Sequence, residues 1–228
     1  MKTKLRLSMI VFLGVLVVAF LTPIAYADTV TINFDSFAIP PITPLTGTPV
    51  TDYLAGYGVT LSGMLPGEVA FIINLPGPPY EVPSPPNVFS ANGGFNGVNT
   101  LTLNFSTPVD NFSFDRIGTY AYPGSPSGTV MGPWSATAYN TSNVSLGTVG
   151  NGWIATYDEV PIESFTFAAQ GISHIDFLGN SFNYAGFALP CIDNLTFTTT
   201  SVPEPSTLFL LGSGLMGLGG IAWRRHRK

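Results

Sequence analysis

The acidic residues are the most frequent groups in this sequence that could do acid–base chemistry, but their spacing does not favour it. Hydrolysis of a glycosidic bond needs two carboxylates held at set separations, and the candidate pairs are Asp110 with Asp115 and Asp158 with Glu159. Adjacent residues on a strand point to opposite faces of the sheet, so the second pair would not act on one substrate. The carboxylates therefore do not predict a hydrolase.

Nucleophilic and metal chemistry are not favoured either. Cys191 is the only cysteine, so no intrachain disulfide is possible, and a catalytic thiol would need a nearby base. The only histidine between residues 28 and 201 is His174, and no Gly-x-Ser-x-Gly elbow supports a triad that uses it. No zinc set or phosphate loop can be assembled. We therefore expect Cys191 to be a buried apolar side chain and the chain not to be an enzyme.

The charge of the central segment, residues 28–201, excludes one class of partner. Of the 13 Asp and Glu residues all but Glu204 lie in it, and of the 8 Lys and Arg residues only Arg116 does, so its formal net charge is −11. An acidic domain repels polyphosphate and lacks the cations whose phosphate contacts drive nucleic-acid binding. We therefore expect no nucleic-acid partner.

The elements that must position any site are predicted to be strands. Apolar and polar residues alternate over 29–34 and 100–105, and no segment shows a helical stripe. Further short runs, separated by Gly, Pro, Asn and Ser, lie at 58–62, 69–73, 111–115, 134–139, 143–148, 153–157, 162–168, 172–177 and 192–198. The pattern predicts an all-β fold for residues 28–201, an antiparallel β-sandwich that is jelly-roll-like or, alternatively, immunoglobulin-like.

Three proline-rich stretches are predicted to be long loops, a feature associated with binding or with poor order. Two of them cover residues 39–53 and 74–99. The third, residues 120–134, carries Tyr120, Tyr122 and Trp134 among Gly and Pro. Aromatic rings at the edge of a sandwich can stack on sugar rings, or they can equally belong to the core. These three residues are the candidate glycan contacts.

The N-terminal residues 1–27 have the pattern of a secretory signal peptide. A basic start is followed by an apolar run over 7–21 and by an A-x-A cleavage site made by Ala25 and Ala27. The mature chain is then expected to begin at Asp28. An uncleaved N-terminal anchor is the alternative.

The C-terminal residues 202–228 combine three parts. The first is Val202-Pro203-Glu204-Pro205, whose prolines oppose a helix and keep the backbone extended. From Thr207 an apolar run of 17 residues follows, enough for a single short membrane helix because the lower limit is about 17. The last part is a basic cluster that would stay in the cytoplasm and stop translocation: Arg224, Arg225, Arg227 and Lys228.

This order of parts closely resembles the PEP-CTERM sorting signal of exopolysaccharide-producing Gram-negative bacteria. The resemblance implies recognition by an exosortase, a membrane transpeptidase-like enzyme that cuts near Pro203-Glu204-Pro205 and passes the rest of the chain onward. It implies that Glu204 is the polar determinant of the motif. A plain C-terminal membrane anchor with a proline-rich stalk is the alternative.

The opening segment Ile32-Asn33-Phe34-Asp35 and the closing segment Ile192-Asp193-Asn194-Leu195-Thr196-Phe197 resemble the terminal strands of other domains that precede such tails. In carbohydrate-binding jelly rolls, acidic residues on these strands often share a structural Ca²⁺. Asp35 and Asp193 could do so here if the two strands are neighbours. Calcium needs six to eight oxygens, so further ligands would have to join. Otherwise the two aspartates face solvent or cap turns.

These observations predict an export route for the chain, and they leave three functions open. The precursor is expected in the inner membrane, with the mature protein at the cell surface or in the extracellular matrix. The first function is a structural, non-catalytic role in the envelope or the exopolysaccharide layer. The second is a carbohydrate-binding module of the same compartment, and a secreted glycan hydrolase is the third and weakest alternative.

Overall fold

Alternating side chains build most of the described chain into antiparallel strands. The computed structural model describes residues 27–76, 80–92, 97–119, 129–131, 133–152, 154–155, 160–181 and 189–199, together with Gly212 and Gly214. Within residues 27–199, the described part of the chain includes the helix α1 (Thr48–Ala55) besides the strands. In chain order the strands are β1 (Asp28–Ile32), β2 (Leu45–Thr46), β3 (Val59–Ser62), β4 (Val69–Asn74), β5 (Tyr80–Glu81), β6 (Asn87–Asn92), β7 (Gly97–Arg116), β8 (Gly118–Thr119), β9 (Thr129–Met131), β10 (Trp134–Asn140), β11 (Ser145–Asn151), β12 (Ile154–Ala155), β13 (Glu163–Phe167), β14 (Ile172–Ser181) and β15 (Ile192–Thr199).

The 20-residue strand β7 connects two layers. Its first half pairs with β14 on one side and β3 on the other, and with β10 and β11 these strands form the first layer, in the order β11-β10-β14-β7-β3. Its second half pairs with β13 and β15. The second layer continues from β15 to β1 and through β6 to β4 and β2. The register of β7 with β14 shifts between the two halves, a bulge that lets the strand bend.

The inward faces of the two layers pack against each other through phenylalanine rings. Phe105 of the first layer lies with its ring centroid 5.6 Å from that of Phe112 and 5.3 Å from that of Phe197, both in the second layer. Phe177 contacts Phe114 in the same way at 5.4 Å. The arrangement is an antiparallel β-sandwich, so the predicted mostly-β architecture is confirmed.

Helix α1 contradicts the prediction that this part of the chain has no helix, since it lies mainly within the predicted loop over residues 39–53. Gly47 precedes it with a φ of 79°, which favours glycine, and Pro49 occupies the first turn, where its missing N–H costs nothing. Val50 and Leu54, four residues apart, are buried. A single buried pair on eight residues is too short a pattern to read as a helical stripe.

Strand β6 corrects the second predicted loop, residues 74–99. The strand pairs in full register with β4, from Asn74↔Asn87 to Val69↔Asn92. Its Val88 and Phe89 are fully buried. The prolines before it and the glycines after it are typical of a loop, but the strand between them is paired on both sides, with β4 and β15.

Both predicted targeting segments lie outside the described residues, apart from Ala27, Gly212 and Gly214. Among the residues that are described, no helix is long and apolar enough to cross a membrane.

Candidate binding face on the first layer

The outward side chains of the first layer form rows because the strand register is regular there. Thr137 of β10 lies opposite Asp176 of β14, which lies opposite Thr102 of β7. Thr148 of β11 extends this middle row by pairing with Thr137. The neighbouring residues on each strand point inward to the core, since side chains alternate along a strand.

Hydrogen bonds hold the middle row together. The Thr102 hydroxyl donates to Asp176 Oδ1 over 2.7 Å. The hydroxyls of Thr137 and Thr148 share a hydrogen bond of 2.9 Å. The row therefore presents one carboxylate among hydroxyls whose positions are fixed by their partners.

The row on one side is aromatic. The rings of Tyr139 and His174 stack with centroids 4.9 Å apart and planes 12° from parallel. His174 Nδ1 lies 3.0 Å from the hydroxyl of Ser173, which fixes the orientation of the imidazole. The pair provides a flat, partly exposed surface beside the carboxylate.

The row on the other side is made of small residues and one leucine. Ser135, Leu178 and Thr100 lie opposite one another across β10, β14 and β7, and the Leu178 side chain is 49% exposed. Gly150 lies opposite Ser135 on β11. A Cβ at that glycine would lie 2.2 Å from the backbone oxygen of Trp134. This end of the row therefore has no side chain that projects above the sheet.

Together the three rows form a groove of about 370 Å³. The residues that line it come from β10, β14, β7 and the end of β3: Gly63, Thr100, Thr102, Ser135, Thr137, Tyr139, Asp176, Phe177 and Leu178. Asp176 is the only charged residue in its lining. The groove can donate and accept hydrogen bonds and can contact apolar C–H groups at both ends.

The single cation of the domain is not available to this groove. Arg116 is fully buried and forms an ion pair with Glu163, with Nη2 and Oε2 3.1 Å apart. Its guanidinium also donates to the carbonyl oxygens of Ile117 at 2.6 Å and Pro161 at 3.2 Å. Because Arg116 is the only Lys or Arg between residues 28 and 199, no such cation is exposed on this part of the chain.

The two aspartates predicted to share a metal are brought together by the second layer. Strand β1, just before Asp35, pairs with β15, which carries Asp193. Ser84 links them, because its backbone N–H donates to Asp193 Oδ2 over 3.0 Å and its hydroxyl donates to Asp35 Oδ2. The two strands are therefore neighbours, which was the condition for a shared calcium.

The electrostatics of this pair come from burial. Asp193 has no exposed surface, and its pKa is raised to about 7, mainly by desolvation and to a smaller extent by the charges of Asp35 and Asp115. Backbone N–H donors from Asn194 and Ser84 oppose that shift. No group of three or more His, Cys, Asp or Glu within the described ranges is disposed to hold a metal ion, and the calcium site stays a prediction.

The predicted glycan contacts and sorting residues have separate outcomes. Trp134 is 4% exposed, with its ring 5.0 Å from that of Phe165. It is a core residue with no face for a sugar, so its prediction as a glycan contact is wrong. Tyr120 and Tyr122 lie outside the described residues, as do Ala25 of the cleavage site and all the predicted motif and basic residues of 202–228.

Cys191 lies where it was predicted, in the core. It is a free, fully buried thiol, and desolvation raises its pKa to about 12. A thiol with that pKa stays protonated at neutral pH and is neither a nucleophile nor a metal ligand.

Solved structures share this fold only loosely. An arabinose-bound α-L-arabinofuranosidase, MgGH51, is 15% identical with a TM-score of 0.40; the match covers 76% of this chain and 27% of the enzyme. A mutant of the family 29 carbohydrate-binding module CBM29-2 is also 15% identical, with a TM-score of 0.28; the match covers 79% of this chain and 99% of the module. At these TM-scores neither likeness supports a conclusion about a ligand.

Comparison by sequence identifies the C-terminal end. No curated protein matches the chain. Residues 201–228 match the family described as the PEP-CTERM protein-sorting motif, which implies processing by an exosortase and export to the cell surface. The chain carries a PEP-CTERM protein-sorting motif at its C-terminus.

Proposed function

We propose that this chain is a non-catalytic component of the cell envelope or of the exopolysaccharide layer, where its sandwich has a structural role. The PEP-CTERM motif over residues 201–228 is the observation that carries the proposal. The sandwich supports it, because the sole thiol of the chain, Cys191, is fully buried and out of reach of a substrate.

In this proposal the precursor is held in the inner membrane by residues 202–228. An exosortase then cuts near Glu204, and the segment that begins at Asp28 moves to the surface. The acidic surface suits a secreted matrix component, since a net charge far from zero keeps proteins soluble.

The test is the mass of the mature protein from its native cells, compared with that of Glu204→Ala. We expect a wild-type product that begins at Asp28, ends near Pro203-Glu204-Pro205 and lies outside the inner membrane, and a full-length C-terminus in the variant. Thr200→Ala, just before residues 201–228, is the matched control and should be cut normally. A wild-type chain that keeps Lys228 would show that the tail is only an anchor.

Carbohydrate binding is a second candidate, with the sandwich acting as a jelly-roll-like module. The groove on the first layer favours it, because a volume of about 370 Å³ is within the usual range for small-ligand sites, roughly 300–1,000 Å³. Hydroxyl groups and one carboxylate line this groove, which is the chemistry that sugar hydroxyls match.

A further inference from the structure

We propose that the groove between β10, β14 and the first half of β7 binds a short segment of a neutral glycan. This inference rests on the second candidate function, carbohydrate binding. It adds the class of ligand and the residues that hold it.

The charge of the domain decides between neutral and acidic glycans. A site for uronates or sulfates needs cations, and Arg is favoured because its planar fork matches carboxylates. Here Arg116 is fully buried and engaged with Glu163. The charged group in the lining of the groove is the acid Asp176, which would repel an anionic ligand.

Asp176 is well placed to accept hydrogen bonds from sugar hydroxyls. Its Oδ1 already accepts from the Thr102 hydroxyl over 2.7 Å, which fixes the plane of the carboxylate. No donor to its Oδ2 is found in the described part of the chain, so that oxygen can accept from a ligand. Hydrogen bonds to a charged acceptor contribute about 1.5–3 kcal/mol each.

The two ends of the groove suit the less polar faces of sugar rings. At one end the Tyr139 ring is held in place by stacking on His174, with planes 12° apart. At the other end the Leu178 side chain is 49% exposed. Between them, Asp176 is accompanied by small residues such as Ser135 and Thr137, so a ring can approach the carboxylate closely.

The experiment is electrophoresis of the mature protein, recovered from its native cells, through gels that contain a polysaccharide. Dextran, glucomannan and galactomannan are the neutral probes, and alginate and polygalacturonate are the acidic ones. We expect retardation in at least one neutral gel and none in the acidic gels. Asp176→Asn should weaken binding about tenfold or more, the loss of a hydrogen bond to a charged group.

Two further variants make the test specific. Ser135→Phe fills the groove from an outward position on β10, and it should abolish retardation even if Asp176→Asn fails to fold. Asp52→Asn is the matched control, because Asp52 is exposed on α1, away from the groove, and it should bind as the wild type does.

Each other outcome overturns a defined part of the inference. Retardation only in the acidic gels would refute the neutral class while carbohydrate binding stands. Neutral retardation that neither Asp176→Asn nor Ser135→Phe changes would refute the groove as the site. No retardation in any gel would overturn both this inference and the carbohydrate-binding candidate, and the sorting proposal would still be decided by the mass measurement.

Discussion

Replacing Glu163 with glutamine removes the counter-charge of the only cation in the domain. Glu163→Gln keeps the size of the side chain and one acceptor oxygen, but leaves the fully buried guanidinium of Arg116 with uncharged acceptors alone. We expect the free energy of unfolding to fall, because a buried charge without its partner is strongly unfavourable.

The magnitude follows from the geometry of the pair. At the 3.1 Å between Nη2 and Oε2, an effective dielectric constant of about 20 gives an attraction of roughly 5 kcal/mol. The Glu163 side chain is 46% exposed, so water screens the pair, and surface pairs are worth only about 0–1 kcal/mol. A loss of about 2 kcal/mol lies between these limits.

Urea unfolding followed by tryptophan fluorescence measures this loss, since Trp134 is 4% exposed and becomes hydrated on unfolding. The midpoint should fall without a change in the dependence on urea, which indicates that the extent of unfolding is unchanged. The double-mutant cycle with Arg116→Met should show a coupling of about 1–2 kcal/mol. A loss below about 0.5 kcal/mol in Glu163→Gln would refute the reasoning, because the two carbonyl oxygens would then suffice for the guanidinium.

Three further predictions concern Asp193, Gly150 and Cys191. The pKa of Asp193 is raised from 3.8 to about 7, so the stability that this group contributes is fully present below pH 3.8 and is lost as pH rises through 7. As pH rises from 4 to 8, Asp193→Asn should therefore become more stable than wild type, by up to about 4 kcal/mol. Urea midpoints of both proteins across that range measure the difference, and a difference that falls with rising pH would contradict the prediction. Gly150→Ala should destabilise the fold by about 1–3 kcal/mol or more, because its Cβ would lie 2.2 Å from the Trp134 oxygen; an unchanged thermal midpoint would show that β11 moves freely. Cys191, fully buried with a pKa of about 12, should not react with a thiol reagent until urea unfolds the chain; rapid labelling of the folded protein would disprove its burial.

Local patterns predicted most of the strands but not their connections. The alternation at 100–105 and the run at 111–115 indicated two strands, and both are found. In the structure they are the two halves of one strand, β7. Pro108 lies at the bulge between them, where the strand passes from one layer to the other. A proline reads as a break in sequence, since it cannot donate to a sheet, and only tertiary pairing reveals the continuation.

The groove could not be predicted for a similar reason. Thr102, Thr137 and Asp176 are each ordinary outward residues of an alternating strand. The register of β10 with β14 and of β14 with β7 places them in one row, and that register is set by contacts far apart in sequence. The aromatic content of the loops instead predicted a glycan contact at Trp134, whose ring is buried in the core.

The pairing of β1 with β15 has a consequence for how the domain is completed during export. Asp28 lies opposite Thr199 and Ile32 lies opposite Leu195. During export β1 is therefore translocated first, but it can pair with β15 only after nearly all of the domain has followed. Until then β1 has no partner in β15, and unpaired strand edges invite association with other chains. The second layer can therefore be completed only when β1 and β15 are in the same compartment. The domain reaches its final fold only after its translocation is complete.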